Sequence, residues 1–351
     1  MWRANHLNRS RSTRNELERA VQRERRCSSI FRGLGMLASR KRAQGLSGLI
    51  ALVVTVAWLA PSTFAFEPRL AQTTSATAST TVATISYRPI SRPPNAAPDF
   101  TAPDGVNLQF YSITSIDGVT NDAALVTPQG SQPQDTTMLI HVHGSGGSLY
   151  EVTGAQLALQ LVQHGYANMA INTRQHGDAI NTDKFFDVRN DIYAATSVAR
   201  SMGYRQIVLH GHSLGTAQVL YYAATDWSPD IKGIVLTGPF ANLPWKSQVI
   251  IINNDPLYRK LYQEALDAVH SGHPDAVLPD PMPYLGGTTT PVTAQHFLTY
   301  RWQYEAADVS IDWIRRVTVP ILLTRDSQDQ TVLQFEPVWL YSAATTPLPS
   351  A

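Results

Sequence analysis

The alternation of short apolar runs with helical patterns is the feature that most constrains how this chain folds. The apolar runs are Met138–His143, Tyr166–Asn172, Gln206–His210, Gly233–Thr237 and Pro320–Thr324. Amphipathic helical patterns follow four of them, near residues 157–162, 188–202, 213–224 and 335–343. Strands that alternate with helices form a mostly parallel sheet with helices on both faces. The sequence therefore predicts an α/β fold.

Two segments depart from this alternation. Val106–Ile113 and Ala123–Val126 flank a turn at Asp117-Gly118, which predicts an antiparallel hairpin before the first parallel strand. Between Asn242 and Asp312 the alternation stops for about seventy residues rich in Pro, Tyr, Trp and His. So long an interruption of a compact domain is usually a lid. We therefore expect a cap over residues 242–312, with an irregular surface excursion as the alternative.

The first part of the chain has the features of an export signal. Residues 1–47 contain 12 Lys and Arg against 3 Asp and Glu, and residues 49–60 form an apolar run. A basic segment followed by a short apolar segment and small residues is typical of a secretory signal. We expect residues 1–65 to be a basic leader and signal peptide, with the true start at Met36.

The location of the protein and the extent of its domain follow from this signal. Cleavage would export the protein to the periplasm or the medium, whereas an uncleaved segment 49–60 would anchor it to a membrane. Residues 66–100 are rich in Thr, Ala, Ser and Pro without a periodic apolar pattern, which indicates a flexible linker. The globular domain is then expected over residues 101–351.

Charge and cysteine content exclude several classes of function. Beyond residue 47 the chain has 16 basic and 24 acidic residues and no nucleic-acid-binding motif, so we expect no nucleic-acid partner. The only cysteine, Cys27, lies in the leader. The globular part can therefore form neither a disulfide of its own nor a cysteine-based zinc site.

A possible nucleophile lies directly between a predicted strand and a predicted helix. Gly211-His212-Ser213-Leu214-Gly215 matches the pattern G-x-S-x-G and follows the run Gln206–His210. A serine hydroxyl becomes a nucleophile only where it is exposed beside a base. A tight strand-to-helix turn provides that exposure, and it needs glycine on both sides because side chains there would clash. Ser213 is the predicted nucleophile, and an ordinary glycine-rich turn is the alternative.

Two further segments supply candidate partners for Ser213. His143–Gly147 follows the first parallel strand, and its glycines would let backbone N–H groups approach a developing negative charge. The expected oxyanion donors are the N–H groups of Ser145 and Leu214. An acid after the last apolar run could orient a catalytic imidazole, and Asp329 is the preferred candidate, with Asp326 as the alternative.

Together these motifs resemble the α/β-hydrolase superfamily, in particular its lysophospholipase and monoacylglycerol-lipase-like branch. The resemblance covers residues 101–351 and includes Asn172–Gly177, which is similar to the Arg-Gly-His-Gly stretch of that family. It also includes the segment from Pro320 through Asp329 to Val332. It implies hydrolysis of an ester or amide bond without a cofactor or metal. The roles that it implies are nucleophile for Ser213, acid for Asp329 and oxyanion donors for Ser145 and Leu214.

The catalytic histidine of the family has no counterpart at the expected place. In the family it follows an eighth strand, but no histidine occurs after His296 and the sequence ends at Ala351. We therefore expect a truncated or frame-shifted version of a complete enzyme, lacking the last strand and helix and catalysing poorly. Structural roles are expected for His141, His164, His176 and His212. One of the predicted cap histidines could instead be recruited as base: His270, His273 or His296.

The predicted function is that of an exported hydrolase acting on a small-molecule carboxylic ester. Ser213 would attack the acyl carbonyl, Asp329 would orient the base, and water would release the acid. A serine at the elbow argues against haloalkane dehalogenase and epoxide hydrolase chemistry, where the resemblance would place an aspartate. The alternatives are a serine peptidase or amidase of the same fold, and a non-catalytic or decayed hydrolase-fold protein.

Overall fold

The computed structural model describes residues 84–226, 228–302 and 309–345 of the chain. The predicted leader and signal peptide over residues 1–65, including Met36 and the apolar run 49–60, lie outside the described residues. Within the described ranges, no helix is both long enough and apolar enough to cross a membrane.

A sheet of eight strands forms the centre of the described chain. In chain order, the ten strands of the described residues, eight of which form this sheet, are β1 (Ser86–Ile90), β2 (Val106–Thr114), β3 (Thr120–Pro128), β4 (Thr137–Val142), β5 (Ala167–Ile171), β6 (Gln206–His212), β7 (Ile231–Thr237), β8 (Met282–Pro283), β9 (Thr289–Thr290) and β10 (Ile321–Thr324). The sheet has the order β1-β2-β3-β5-β4-β6-β7-β10, and β8 pairs only with β9. Five neighbouring strands run parallel to one another: β5, β4, β6, β7 and β10. The strands β1, β2 and β3 each run antiparallel to the strands with which they pair.

The helices agree with the predicted alternation. They are α1 (Leu157–Val162), α2 (Val188–Ser201), α3 (Leu214–Thr225), α4 (Leu243–Lys246), α5 (Asp255–His270), α6 (Ala294–His296), α7 (Ser310–Trp313) and α8 (Phe335–Ala343). Turns of π-helix precede α1 at Val152–Gln156 and extend α4 and α6 at Ser247–Ile252 and Phe297–Arg301. The four helices predicted after apolar runs are α1, α2, α3 and α8.

Apolar side chains of the sheet point alternately to its two faces. In β3, Leu125 belongs to a core with α2, α3 and α8, whereas its neighbour Val126 packs in a separate core with α1. In β5, Met169 and Ala170 divide between the same two cores. Successive residues of a strand face opposite sides of its sheet, so helices cover both faces. The predicted α/β-hydrolase fold is confirmed.

The flexible linker predicted over residues 66–100 is wrong at its C-terminal end. β1 pairs antiparallel with β2, with Ser86 opposite Thr114, and Phe100 is buried against Phe110. Four of the five residues of β1 are exposed because it is an edge strand, so it carries no apolar period. An edge strand also tolerates Pro89, since only one side of its backbone is paired.

The segment predicted as a cap, residues 242–312, is largely helical and has its own apolar core. Asn254 is the N-cap residue of α5, because its Oδ1 accepts the N–H of Leu257 at 3.2 Å. Its buried face carries Tyr258, Leu261 and Ala265, which pack with residues of the Phe297–Arg301 turn. Apolar residues between β7 and β10 are thus buried against one another, as in a cap that packs as a unit.

The far edge of the sheet is formed by β10. It pairs with β7 along Ile321–Thr324, and within the described ranges no strand follows α8. Leu322 is 56% exposed on this edge strand, and Val338 and Tyr341 of α8 are similarly exposed.

Candidate active site

Ser213 lies on a strained turn between β6 and α3. Its backbone has φ 50° and ψ −117°, a conformation that non-glycine residues rarely adopt. The N–H of Ser213 donates to the carbonyl of Thr237 at 2.9 Å, and its carbonyl accepts the N–H of Thr216 at 3.0 Å. These bonds fix the backbone, whereas the half-buried side chain makes no hydrogen bond to the described part of the chain. The turn thus presents a free hydroxyl.

The two glycines of the motif allow the backbone segments around Ser213 to approach closely. A Cβ atom on Gly211 would lie 2.6 Å from the carbonyl carbon of Gly215. A Cβ atom on Gly215 would lie 2.7 Å from the carbonyl oxygen of His143 and closer still to that of Val142. No real Cβ atom tolerates such distances, so the pattern G-x-S-x-G is required by sterics, as the sequence predicted.

The loop after β4 passes directly beside the nucleophile. A Cβ atom on Gly144 would lie 3.1 Å from the Cβ of Ser213. No described atom accepts the N–H of Ser145 or that of Leu214, and Leu214 begins α3, where the first N–H groups have no partner within the helix. The geometry therefore leaves both predicted donors available near Ser213. Their role as an oxyanion hole stays a prediction.

The predicted cap contacts the same loop. The hydroxyl of Tyr284, in the turn between β8 and β9, donates to Ser145 Oγ at 2.6 Å. Tyr284 also lies beneath the guanidinium of Arg301, which is 5.8 Å from the ring centroid. This hydrogen bond joins residues 139 positions apart and connects the segment predicted as a cap to the loop that carries Ser145.

Asp329 lies in the loop between β10 and α8. Its Oδ1 accepts the N–H groups of Thr331 at 2.7 Å and Val332 at 3.0 Å, which fixes the orientation of the carboxylate. Its Oδ2 lies 3.7 Å from the position of a Cβ on Gly238, just after β7, and it accepts no hydrogen bond from the described residues. Asp326 is exposed and caps a local turn through Gln328. Asp329 is the better placed of the two candidate acids.

No described histidine forms a hydrogen bond with Ser213 or Asp329. His143 is buried, donating from Nδ1 to the Gly144 carbonyl and accepting the Thr173 N–H at Nε2, and burial lowers its pKa to about 4. His296 of the predicted cap is fully buried against Asp183. His164, His270 and His273 are exposed. The structure therefore places the loop of Ser145 beside Ser213, and the roles of Asp329 and of a base stay predictions.

The stretch that resembles the family motif after β5 supports the loop beside Ser213. Asn172 Oδ1 accepts the N–H of Leu149 at 2.8 Å, and the backbone and hydroxyl of Thr173 both bond His143. Arg174 forms a buried ion pair with Asp191 at 2.9 Å. These bonds explain why polar residues follow an otherwise apolar strand.

A group of polar residues near the nucleophile, two buried and two half-buried, was not singled out from the sequence. Glu151 lies at its centre and bonds His141 and His212, and His141 in turn contacts His210. The signal that could have revealed it is the equal spacing of the two strand histidines. His141 precedes Gly144 by three residues, and His210 precedes Ser213 by three.

A parallel sheet with a G-x-S-x-G elbow after its central strand defines a hydrolase of the α/β-hydrolase type. A family model described as serine aminopeptidase, S33, matches residues 133–344, more than half of the chain. The chain belongs to that family. The expectation of an α/β-hydrolase with a serine nucleophile is thereby supported. A comparison with curated proteins found no match to the chain.

Several solved structures have a similar fold at low sequence identity. Est1E from Butyrivibrio proteoclasticus, with ferulic acid bound, is 19% identical with a TM-score of 0.51, covering 66% of this chain and 84% of that one. A hypothetical protein from Pseudomonas aeruginosa is 16% identical with a TM-score of 0.52, covering 72% and 88%. An acetyl xylan esterase from Paenibacillus sp. R4 is 16% identical with a TM-score of 0.50, covering 75% and 79%. These likenesses show the fold.

Proposed function

We propose that this protein is a serine hydrolase that cleaves carboxylic esters through an acyl-enzyme on Ser213. The observation that carries the proposal is the strained elbow. It holds the Ser213 hydroxyl without a hydrogen-bond partner among the described residues, and no described atom accepts the N–H of Ser145 or Leu214. Strain of this kind persists where the surrounding structure enforces it, and it is concentrated at functional sites.

The chemistry follows from this arrangement. Ser213 Oγ attacks the acyl carbon while a base takes its proton, and the carbonyl oxygen becomes an oxyanion that accepts the N–H groups of Ser145 and Leu214. Collapse of this intermediate breaks the bond to the alcohol, which leaves with the proton. Water then attacks the acyl-enzyme by the same steps and releases the acid.

The base in this scheme is an imidazole between Ser213 Oγ and Asp329 Oδ2. Asp329 is suited to orient it, because one of its oxygens is fixed by two backbone N–H groups and the other has no partner in the described chain. The described histidines do not occupy this position. Loss of the triad histidine in a related type of enzyme lowers kcat by about 10⁶, so we expect slow turnover wherever the position stays empty.

Cleavage of an amide or peptide bond is the second candidate, because the matching family model is described as serine aminopeptidase. An aminopeptidase needs a free carboxylate to bind the α-ammonium group of its substrate. Glu151 has a carboxylate beside the loop that carries Ser145, and this carboxylate already accepts hydrogen bonds from His141, His212 and Gly144. This engagement favours an ester. The fold also accommodates ester hydrolysis, since one of the similar structures is an acetyl xylan esterase.

Labelling with a fluorophosphonate probe tests the nucleophile, and short p-nitrophenyl esters and aminoacyl p-nitroanilides test the bond. We expect a labelled wild type, an unlabelled Ser213→Ala variant, and faster release from esters than from anilides. Ser201→Ala is the matched control, since Ser201 is exposed on α2 and should label like the wild type. Labelling that persists in Ser213→Ala would assign the nucleophile elsewhere. An unlabelled wild type would favour the non-catalytic alternative.

We also infer that the protein is exported. The basic residues before the apolar run 49–60, and the small residues after it, support a secretory signal. Sequencing of the mature N-terminus is the test, and we expect a start near Phe66. An N-terminus at Met36 or Met1 on a membrane-bound protein would instead support the anchor formed by residues 49–60.

A further inference from the structure

A chain of hydrogen bonds, buried at its centre between His141 and His210, runs from Glu151 across the sheet near the nucleophile. Its Oε1 accepts from Nδ1 of His212 at 3.0 Å, from Nε2 of His141 at 3.1 Å and from the hydroxyl of Thr153 at 2.8 Å. The N–H of Gly144 points at both carboxylate oxygens, at 3.3 and 3.4 Å. One carboxylate therefore joins β4, the end of β6 and the loop that carries Ser145.

The chain continues across four parallel strands. His141 of β4 lies opposite His210 of β6, and their Nδ1 atoms are 3.0 Å apart. Nε2 of His210 is 3.0 Å from the hydroxyl of Thr237 in β7, which also contacts the hydroxyl of Thr324 in β10 at 3.3 Å. The carbonyl of the same Thr237 accepts the N–H of Ser213. The chain thus includes Thr237 of β7, whose carbonyl also bonds the backbone of the nucleophile.

The direction of each bond follows from the carboxylate, which can only accept. His141 must carry its proton on Nε2, so its Nδ1 accepts from Nδ1–H of His210. Nε2 of His210 then accepts from the Thr237 hydroxyl. Burial lowers the pKa of His141 and lowers that of His210 to about 3, so both rings are neutral at pH 7. Burial alone would raise the pKa of Glu151, but bonds from His141 and His212 reverse this and lower it.

These contacts constrain two backbone segments near Ser213: the loop after β4 and the end of β6. Glu151 accepts the N–H of Gly144, the residue that lies beside Ser213 and directly precedes Ser145. It also bonds His212, the residue directly before Ser213. We propose that Glu151, acting through Gly144 and His212, is a positioning residue that sets the oxyanion donors for the reaction at Ser213. This inference rests on the proposed function for its catalytic consequence, but not for its structural one.

Glu151→Gln keeps the shape of the side chain but cannot keep all of its bonds, because Oε1 and Oε2 of Glu151 both accept. An amide has one accepting oxygen, and its NH₂ group would face a donor, either the Gly144 N–H or an imidazole N–H. Loss of one oxyanion donor, or a displacement of about 1 Å, costs on the order of 10²-fold in rate. Thr153→Val is the matched control, because it removes a bond to the same carboxylate without touching the Ser145 loop.

The catalytic test compares labelling rates for a fluorophosphonate and its P=S analogue, since sulfur accepts hydrogen bonds poorly. We expect Glu151→Gln to slow labelling by the P=O probe about 10–100-fold and to lower the P=O to P=S rate ratio. Thr153→Val should stay within about threefold of the wild type. A merely structural role would slow both probes equally and leave the ratio unchanged, which would overturn the proposal.

A spectroscopic test separates this inference from the proposed function. In ¹⁵N NMR of the full chain, we expect Nε2–H on His141 and Nδ1–H on His210, and a Gly144 amide that exchanges faster with solvent in Glu151→Gln. Should the wild type fail to label, the proposed function falls, and an unchanged Gly144 amide would overturn this inference independently. If Glu151→Gln does not fold, His212→Ala replaces it, with rescue expected from His212→Asn, whose amide can donate from the place of Nδ1.

Discussion

A buried ion pair between α4 and α8 provides the sharpest test of what stabilises the loop that carries Asp329. Lys246 Nζ of α4 lies 2.6 Å from Glu336 Oε2 of α8, and the two side chains are 4% and 0% exposed. Lys246 also donates to the carbonyl of Thr331 at 2.8 Å, two residues from Asp329. Glu336 accepts the N–H of Leu333 at 2.7 Å. We predict that Lys246→Met strongly destabilises the protein.

The size of the effect follows from the carboxylate left behind. Removal of one partner of a buried pair costs about 3–5 kcal/mol, because the remaining charge has neither water nor a counter-ion. In a domain of this size, 1 kcal/mol lowers Tm by about 2–4 °C, so the predicted loss is roughly 6–20 °C at neutral pH.

Thermal unfolding of matched variants measures this prediction. Lys260→Met is the control, because Lys260 forms a pair of the same length with Asp280, 2.6 Å, but is 59% exposed. It should not change Tm measurably, since exposed pairs contribute little. Lys246→Met with Glu336→Gln should recover most of the loss at neutral pH. Equal Tm values for the two lysine variants would refute the reasoning.

Two further substitutions test the active site itself. Asp329→Asn should keep the fold, since Asn Oδ1 can still accept from Thr331 and Val332; where an imidazole occupies the base position, it should slow reaction at Ser213 by up to about 10⁴-fold by favouring the wrong tautomer. Labelling and ester hydrolysis measure this, with Asp326→Asn as the unaffected control; equal effects would point away from Asp329. Gly215→Ala should lower Tm well beyond Gly233→Ala. Its Cβ would collide with Val142 and His143, whereas that of Gly233 meets only the Pro320 carbonyl at 3.4 Å. Similar Tm values would contradict the steric argument.

The layout of the fold could be predicted because its signals are local. Buried parallel strands appear as continuous apolar runs, and covering helices repeat their apolar residues every three or four positions. The predicted strand Gln206–His210 and helix 213–224 agree with β6 and α3 within two residues. β1 escaped this reasoning because its exposed residues carry no apolar period, and its place depends on pairing with β2.

The interior of the predicted cap was also beyond local reasoning. Short helices and π-helical turns have too few residues to establish a period, and Ala294–His296 comprises a single turn. Its bounds depend on tertiary contacts, such as the stacking of Tyr262 on Trp302 at 3.8 Å. Asn242 is an exception, since an asparagine before Leu243-Pro244 is a local cap signal, and its side chain accepts the Trp245 N–H.

The residues of the candidate active site likewise divide into those with a local sequence signal and those without one. Ser213, with the glycines on either side, could be predicted because the elbow is a contiguous motif whose sterics are written in five residues. The pairing of His141 with His210 depends on the register between β4 and β6, which no single segment of sequence contains. The register can still be inferred from two motifs together. If the loop that carries Ser145 must lie beside the nucleophile, then Gly144 and Ser213 lie next to each other at the ends of the two strands. Counting back three residues along two parallel strands then pairs the histidines, and their rings need an acceptor. Glu151, the only acid between β4 and α1, provides it.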